Sequence, residues 1–376
     1  MMPVYLKNSF RVDKYAMRYS DFVPRLFNFC LSLGMSPNHI MPSRAFCSDE
    51  NQGYPIILIT KHFGTFPFNH GRVGGIVATD RHAPHAHHGQ DMVIIQASHV
   101  GYEPETEEFG IYRRLETENH QHSTDCGAIC GVLDWYQNEY NFAREHIKLG
   151  RNGDELIVII DNQLVNDERA EGIFLNLDKI IDMPNGSPEP LQFLSTAKVF
   201  YAADELKRRM GEQWPRNHRS IGSHLDSDLF YFRRDLDAIT DAGQIINRNL
   251  IKSMPNILAS KYPSLTAAQA NAQVEFDRTF RSIVTEKAYR GKWVVFISGI
   301  NIDISPREGQ SFPLTKYVPW AAYVQNDSGQ GYTLEQDELF HILNRHPTEN
   351  PHKIDLTEVI GSMKREAEIQ LHVDEE

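Results

Sequence analysis

Apolar side chains fall into two patterns along the chain. Residues 14–34 repeat them at mixed helical spacing, through Tyr15, Tyr19, Phe22, Val23, Leu26, Phe27, Cys30 and Leu33, and stop at Gly34. This predicts one helix with a break near Pro24. SRAFCSDE (43–50) reads as a short strand entering a polar loop, and PIILIT (55–60) as a buried strand. VGGIVAT (73–79) reads as a strand within a Gly/His/Phe-rich stretch. DMVIIQASH (91–99) is the strongest buried strand, and ELIVIIDN (155–162), WVVFISGINIDI (293–304) and YVPWAAYVQ (317–325) are further ones. CGAICGVLDWYQNEY (126–140) has a helical pattern, with Asp125 or Thr124 as N-cap. Residues 190–290 read as mainly helical, including a helix capped at Ser264.

Strands interleaved with helices predict an α/β fold around one twisted, mainly parallel β-sheet flanked by helices. The expected organisation is an N-terminal helical segment (1–40), an α/β domain (41–330) with a helical insertion at about 190–290, and a C-terminal helical tail (331–376).

The 376 residues carry 38 Lys+Arg against 50 Asp+Glu, a formal charge of −12. That balance argues against a nucleic-acid partner, which needs a basic face. No run of 18 apolar residues exists, so no membrane span is expected. The N-terminus lacks the pattern of a secretory signal, which predicts a cytoplasmic protein. Four cysteines, Cys30, Cys47, Cys126 and Cys130, make no disulfide scaffold. Cys30 and Cys130 read as core residues.

Three polar positions follow apolar runs: Cys47-Ser48-Asp49, Ser98-His99-Val100-Gly101 and Asp125-Cys126-Gly127-Ala128. Functional groups of α/β sheets gather beyond the carboxyl ends of strands, so these three can converge. Two thiolates and one imidazole suit zinc, and three protein ligands leave a fourth position open for water. A helix N-terminus favours a thiolate at Cys126.

Cys47-x-Asp49, a strand ending at His99, and Cys126-Gly127-Ala128 resemble the β-type carbonic anhydrases. His99 and Cys126 stand 27 positions apart, and this longer spacing resembles the limiting-CO2-inducible protein B/C family. The supporting elements are HAPHAHHGQ (82–90), His99-Val100-Gly101, and Phe109-Gly110 with Arg113. They cover about residues 40–165. The resemblance implies zinc (Zn2+) on Cys47, His99 and Cys126, hydration of carbon dioxide to bicarbonate by zinc-bound hydroxide, and a homodimer. Helix 14–34 is the candidate interface element.

The family motif C-x-D-x-R requires Arg where Asn51 stands. Asp49 therefore needs its Arg from elsewhere, with Arg113 the first choice and Arg44, Arg72 and Arg81 the alternatives. Phe63, Phe66, Phe68, Val100 and Tyr102 are candidates for an apolar substrate wall, and the Gly101 N–H for polarising a substrate oxygen. His82, His85, His87 and His88 are candidates for a proton shuttle. A metal-free structural or interaction protein, with partner contacts on residues 190–290, is an alternative, and two zinc-binding readings stand beside it. One is a zinc-binding, catalytically inactive sensor or scaffold for carbon dioxide or bicarbonate. The other is a different zinc hydrolase that uses the His82–His88 cluster with Asp80 or Asp91.

Overall fold

The computed structural model describes residues 10–78, 90–113, 122–239, 243–307, 310 and 314–363. The principal elements in chain order are α1 (Tyr19–Ser32), β1 (Ile40–Ala45), α2 (Gly53–Phe63), β2 (Asp91–Glu103), α3 (Gly127–His146), β3 (Ile147–Asn152), β4 (Glu155–Asp161), β5 (Ala197–Tyr201), α4 (Pro263–Thr285), β6 (Val294–Ile304), β7 (Lys316–Gln325), β8 (Gly331–Glu335) and α5 (Gln336–Arg345).

β2 and β6 form the middle of the main sheet because both faces of each are covered. Their residues 92–101 and 294–303 are buried throughout, as near-continuous apolar runs require. They pair in parallel, with His99 opposite Asn301 and Gly101 opposite Asp303. β1 adds in parallel on the other side of β2, and the short strand Phe68–Asn69 adds in parallel to β1. The sheet therefore has a parallel centre. Its far edge is antiparallel, where β7 pairs with β6, β8 and Met17–Arg18.

Side chains of β2 and β6 alternate between two layers. Val93, Ile95, Ala97, Val295 and Ile297 face a cluster that includes Phe22, Leu26 and Phe27 of α1, Ile59 and Phe63 of α2, and Leu339 and Leu343 of α5. Met92, Ile94, Val294 and Phe296 face the other layer with Phe276 and Phe280 of α4. His99 and Asn301 follow the odd-numbered side, whereas Gln96, Ser98 and Ser298 follow the even one.

Three expectations change. PIILIT lies in α2, not in a strand. The helix ends at Gly64, whose φ of +77° forms a left-handed cap. A six-residue apolar run cannot by itself distinguish a buried strand from a helix face. Pro24 does not break α1, which runs through it. Its ring sits in the sixth position of the helix, near enough to the N-terminus that a single hydrogen bond is missing. α1 packs on its own sheet through Tyr19, Phe22, Val23 and Leu26, which are all fully buried. Residues 190–233 are not mainly helical. β3, β4, β5 and the short strands Gln192–Phe193 and Arg219–Ser220 form a second, antiparallel sheet of five strands. Helices dominate only from Gly243 to Thr285.

Candidate metal centre

The parallel centre of the sheet brings the carboxyl ends of β1 and β2 side by side. Cys47 lies two residues past β1, and His99 lies near the end of β2. Cys126 is the N-cap of α3, with φ −57° and ψ 93°. Its side chain makes no cap hydrogen bond and is free to turn toward the sheet. Ligand atoms of Cys47, His99 and Cys126 all lie within 4.8 Å of one another, and all three residues are buried. The expected N-caps do not act as such. Asp125 instead faces His99.

The two nitrogens of His99 have different surroundings. Nδ1 hydrogen-bonds Asp303 Oδ2 at 3.0 Å and lies 3.2 Å from Asp125 Oδ2. Nε2 is buried without a hydrogen-bond partner, 4.0 Å from Asp49 Oδ2. An orphaned buried nitrogen is costly unless something binds it. With Nδ1 held on carboxylate, Nε2 is the atom left for a metal, the arrangement usual for ligating histidines. The donor set of two sulfurs and one imidazole nitrogen fits zinc.

The three donor residues shift one another's proton affinity. Cys126 hydrogen-bonds the Cys47 sulfur and His99 stands beside it, which pushes the Cys47 thiol down to about 3. The Gly74 N–H adds a hydrogen bond to that sulfur at 3.1 Å. Sharing a proton with Cys47, together with burial, raises Cys126 well above the usual thiol value. Burial opposes charge on His99, yet Asp125, Cys126 and Asp303 outweigh it and raise its pKa well above the imidazole norm. Burial, and then Asp125, raise Asp303.

A buried polar network holds Asp303. Gln52 Nε2 donates to its Oδ2 at 2.8 Å and Thr315 Oγ1 to its Oδ1 at 2.8 Å. Asn301 Nδ2 donates to Gln52 Oε1 at 2.6 Å, and Tyr19 OH donates to Asn301 Oδ1 at 2.6 Å. Asn51 Nδ2 donates to Asp125 Oδ1 at 2.8 Å. The residue that stands where the motif has Arg therefore fixes the other carboxylate at His99, not Asp49.

Asp49 itself is half-buried. Burial and its hydrogen bond with Glu50 push its carboxyl up to about 7. Arg113 faces Glu105 at 3.8 Å, and its backbone N–H donates to Ser305 Oγ. No ion pair joins Arg113 to Asp49 among the described residues.

A cavity of about 280 Å3 opens at the centre, lined by Cys47, Ser48, Asp49, Val73, Thr124, Asp125, Gly127 and Ala128. None of the expected substrate residues lines it. Phe63 packs on Phe27 in the core, Phe66 is 77% exposed, and Phe68 is exposed on the edge strand. Val100 belongs to the core and Tyr102 packs on Phe109. Gly101 matters for a different reason. A Cβ there would meet Ile111 O at 2.4 Å and Asp125 Cβ at 2.9 Å, so glycine is what lets Asp125 reach the strand. His82, His85, His87, His88, Asp80 and Arg81 lie outside the described residues. Asp91 accepts from the Trp293 N–H at the opposite end of β2 from the centre.

Sequence reasoning missed Asp303, Asn301, Gln52 and the Gly74 N–H. GINIDI, with polar residues alternating inside an apolar central strand, carried a signal for the first two.

Among the described residues, no helix is long and apolar enough to cross a membrane. No family model and no curated protein matches the sequence. The solved structures it resembles include PtLCIB4, a homolog of the limiting CO2-inducible protein LCIB. That likeness has a TM-score of 0.50 and 12% identity, over 86% of this chain and 97% of that one. A histidine-to-alanine mutant of PtLCIB4 gives a TM-score of 0.51 and 12% identity, over 85% and 95%. The resemblance drawn from Cys47, His99 and Cys126 thus extends to the backbone, and the chain has the fold of the LCIB homologues.

Proposed function

We propose that the protein catalyses the reversible hydration of carbon dioxide to bicarbonate at a zinc ion held by Cys47, His99 and Cys126. The observation that supports this most is the convergence of two buried sulfurs on a histidine whose Nε2 has no hydrogen-bond partner. Zinc so held supplies a Lewis acid that lowers the pKa of water toward about 7. The chain supplies the rest. Asp303 and Asp125 keep the imidazole oriented, and Asp49 offers an acceptor at the mouth of the cavity. Val73 and Ala128 give the cavity an apolar side for a small apolar substrate, while Ser48 and Thr124 give it a polar one. A cytoplasmic setting and a homodimer belong to the same reading, with α1 as the candidate interface element.

The test is stopped-flow hydration with metal-quantified wild type and Cys126→Ala side by side. The expected result is one zinc per chain and hydration well above the buffer rate, with both lost in the variant. Zinc retained by Cys126→Ala, or no zinc in the wild type, overturns the assignment.

One observation favours a second reading, a zinc-binding sensor or scaffold without catalysis. Asn51 stands where the motif carries Arg and donates to Asp125, while burial and the hydrogen bond with Glu50 push the Asp49 carboxyl up to about 7. Stoichiometric zinc with no hydration above buffer supports that reading instead.

A further inference from the structure

We infer that Asn271 and Glu275 of α4 are positioning residues for the metal centre: they clamp the loop 73–78 so that the Gly74 N–H is held on the Cys47 sulfur. The inference rests on the proposed metal site but uses residues outside it.

The loop runs between the even-numbered face of the main sheet and α4. Gly74 and Gly75 have φ of +77° and +73°, a conformation that disfavours side chains. Space adds to this, decisively at Gly75, where the obstacle is backbone. A Cβ at Gly74 would meet Ile246 Cδ1 at 2.6 Å, and one at Gly75 would meet Ala97 O at 2.2 Å. In this conformation the Gly74 N–H donates to Cys47 Sγ, 3.1 Å away.

Asn271 and Glu275 lie one turn apart on α4 and are fully buried. Asn271 Nδ2 donates to the Gly74 carbonyl at 3.0 Å and to Ser98 Oγ at 2.8 Å, tying the loop to the residue before His99. Glu275 Oε2 accepts from the Val77 N–H at 2.8 Å. Arg278 donates to the Val77 carbonyl and to Glu275, both at 2.6 Å. Asn249 donates to Asn271 Oδ1 and Glu275 Oε1, each at 2.8 Å, and so fixes the Asn271 amide with its nitrogen toward Gly74. A carboxylate buried this deeply and spent on a loop backbone is expensive, which makes a passive packing role a poor account of it.

The N–H bond to a ligating sulfur draws charge from it, so the clamp sets how strongly Cys47 donates to a metal. It does so at a loop residue 27 positions from Cys47 in sequence, through side chains of α4.

The test uses the full chain with Asn271→Leu, which keeps the size and removes the donor, and Arg278→Gln, a milder change at the rim. Two readouts are taken. Hydrogen exchange of the segment covering residues 73–78 is measured on metal-free protein. The sulfur-to-metal charge-transfer band and chelator competition are measured with cobalt(II). The expected result for Asn271→Leu is exchange of that segment faster by about tenfold or more, with β2 and β6 unchanged. The charge-transfer band should move to lower energy, and cobalt affinity should fall by about 10- to 100-fold. Arg278→Gln should shift each readout in the same direction by less. Unchanged exchange in the segment, or an unshifted band in a variant that exchanges faster, overturns the inference. If wild type takes up neither cobalt nor zinc, the metal reading fails, and exchange alone then decides the clamp. If Asn271→Leu does not fold, Arg278→Gln decides by the same criteria.

Discussion

At His99 the two ring nitrogens face different chemistry, and that division organises the site. Nδ1 is committed to carboxylate, and Nε2 is left toward the sulfurs. Gly101 makes the division possible. Gly101→Ala would drive a methyl group into the Ile111 carbonyl and Asp125. The expected outcome is a loss of about 1–3 kcal/mol in urea unfolding. A drop of about tenfold in zinc affinity by chelator competition should accompany it. The metal ligands were legible in the sequence because each sits in a short local motif at the end of an apolar run. Asp303 was not. It reaches His99 from 204 positions away, and no local pattern records a pairing that only the register of β2 and β6 creates. Asn51 was legible as a departure from the motif, but its use on Asp125 was not. His70 carries a prediction of its own. Burial lowers its pKa to about 3, and its ring sits 2.6 Å from Ser43 Oγ. It is neutral when folded but gains a proton below about 6.5 when unfolded. Its contribution is therefore complete above pH 6.5 and lost as pH falls toward 3. Wild type should lose up to about 1.4 kcal/mol per pH unit more than His70→Asn between pH 6 and 4.5 in urea titrations. Equal slopes would contradict the buried neutral histidine.

Among the elements, α2 shows why an apolar run misleads. Ile57 and Ile59 would share a face in a strand, but in the helix Ile57 is 51% exposed and Ile59 fully buried. Ile57→Lys should change stability by less than about 0.5 kcal/mol, and Ile59→Ala should cost about 2–5 kcal/mol. Equal effects would favour the strand. Strands buried on both faces were legible because 92–101 and 294–303 are unbroken apolar runs apart from their functional polar positions. The strands between 192 and 233 were not. Gln192–Phe193 and Arg219–Ser220 are two residues long and exposed, so they carry no periodicity to read. They exist because β3 and β5 offer them an edge.

In the whole molecule, a parallel centre gathers the carboxyl ends of β1 and β2, and the helix N-terminus of α3 closes over them. That arrangement was readable from the order of strand, motif and helix, and the fold of the LCIB homologues accords with it. The second antiparallel sheet and the buried network from Tyr19 to Asp303 are properties of tertiary packing and were not readable. The central claim is the composition of the metal centre, and zinc K-edge X-ray absorption on protein purified without added metal tests it most directly. The account predicts two sulfur neighbours at about 2.3 Å, one nitrogen at about 2.0 Å and a single further light atom. A shell without sulfur, or one filled by nitrogen and oxygen alone, would contradict it.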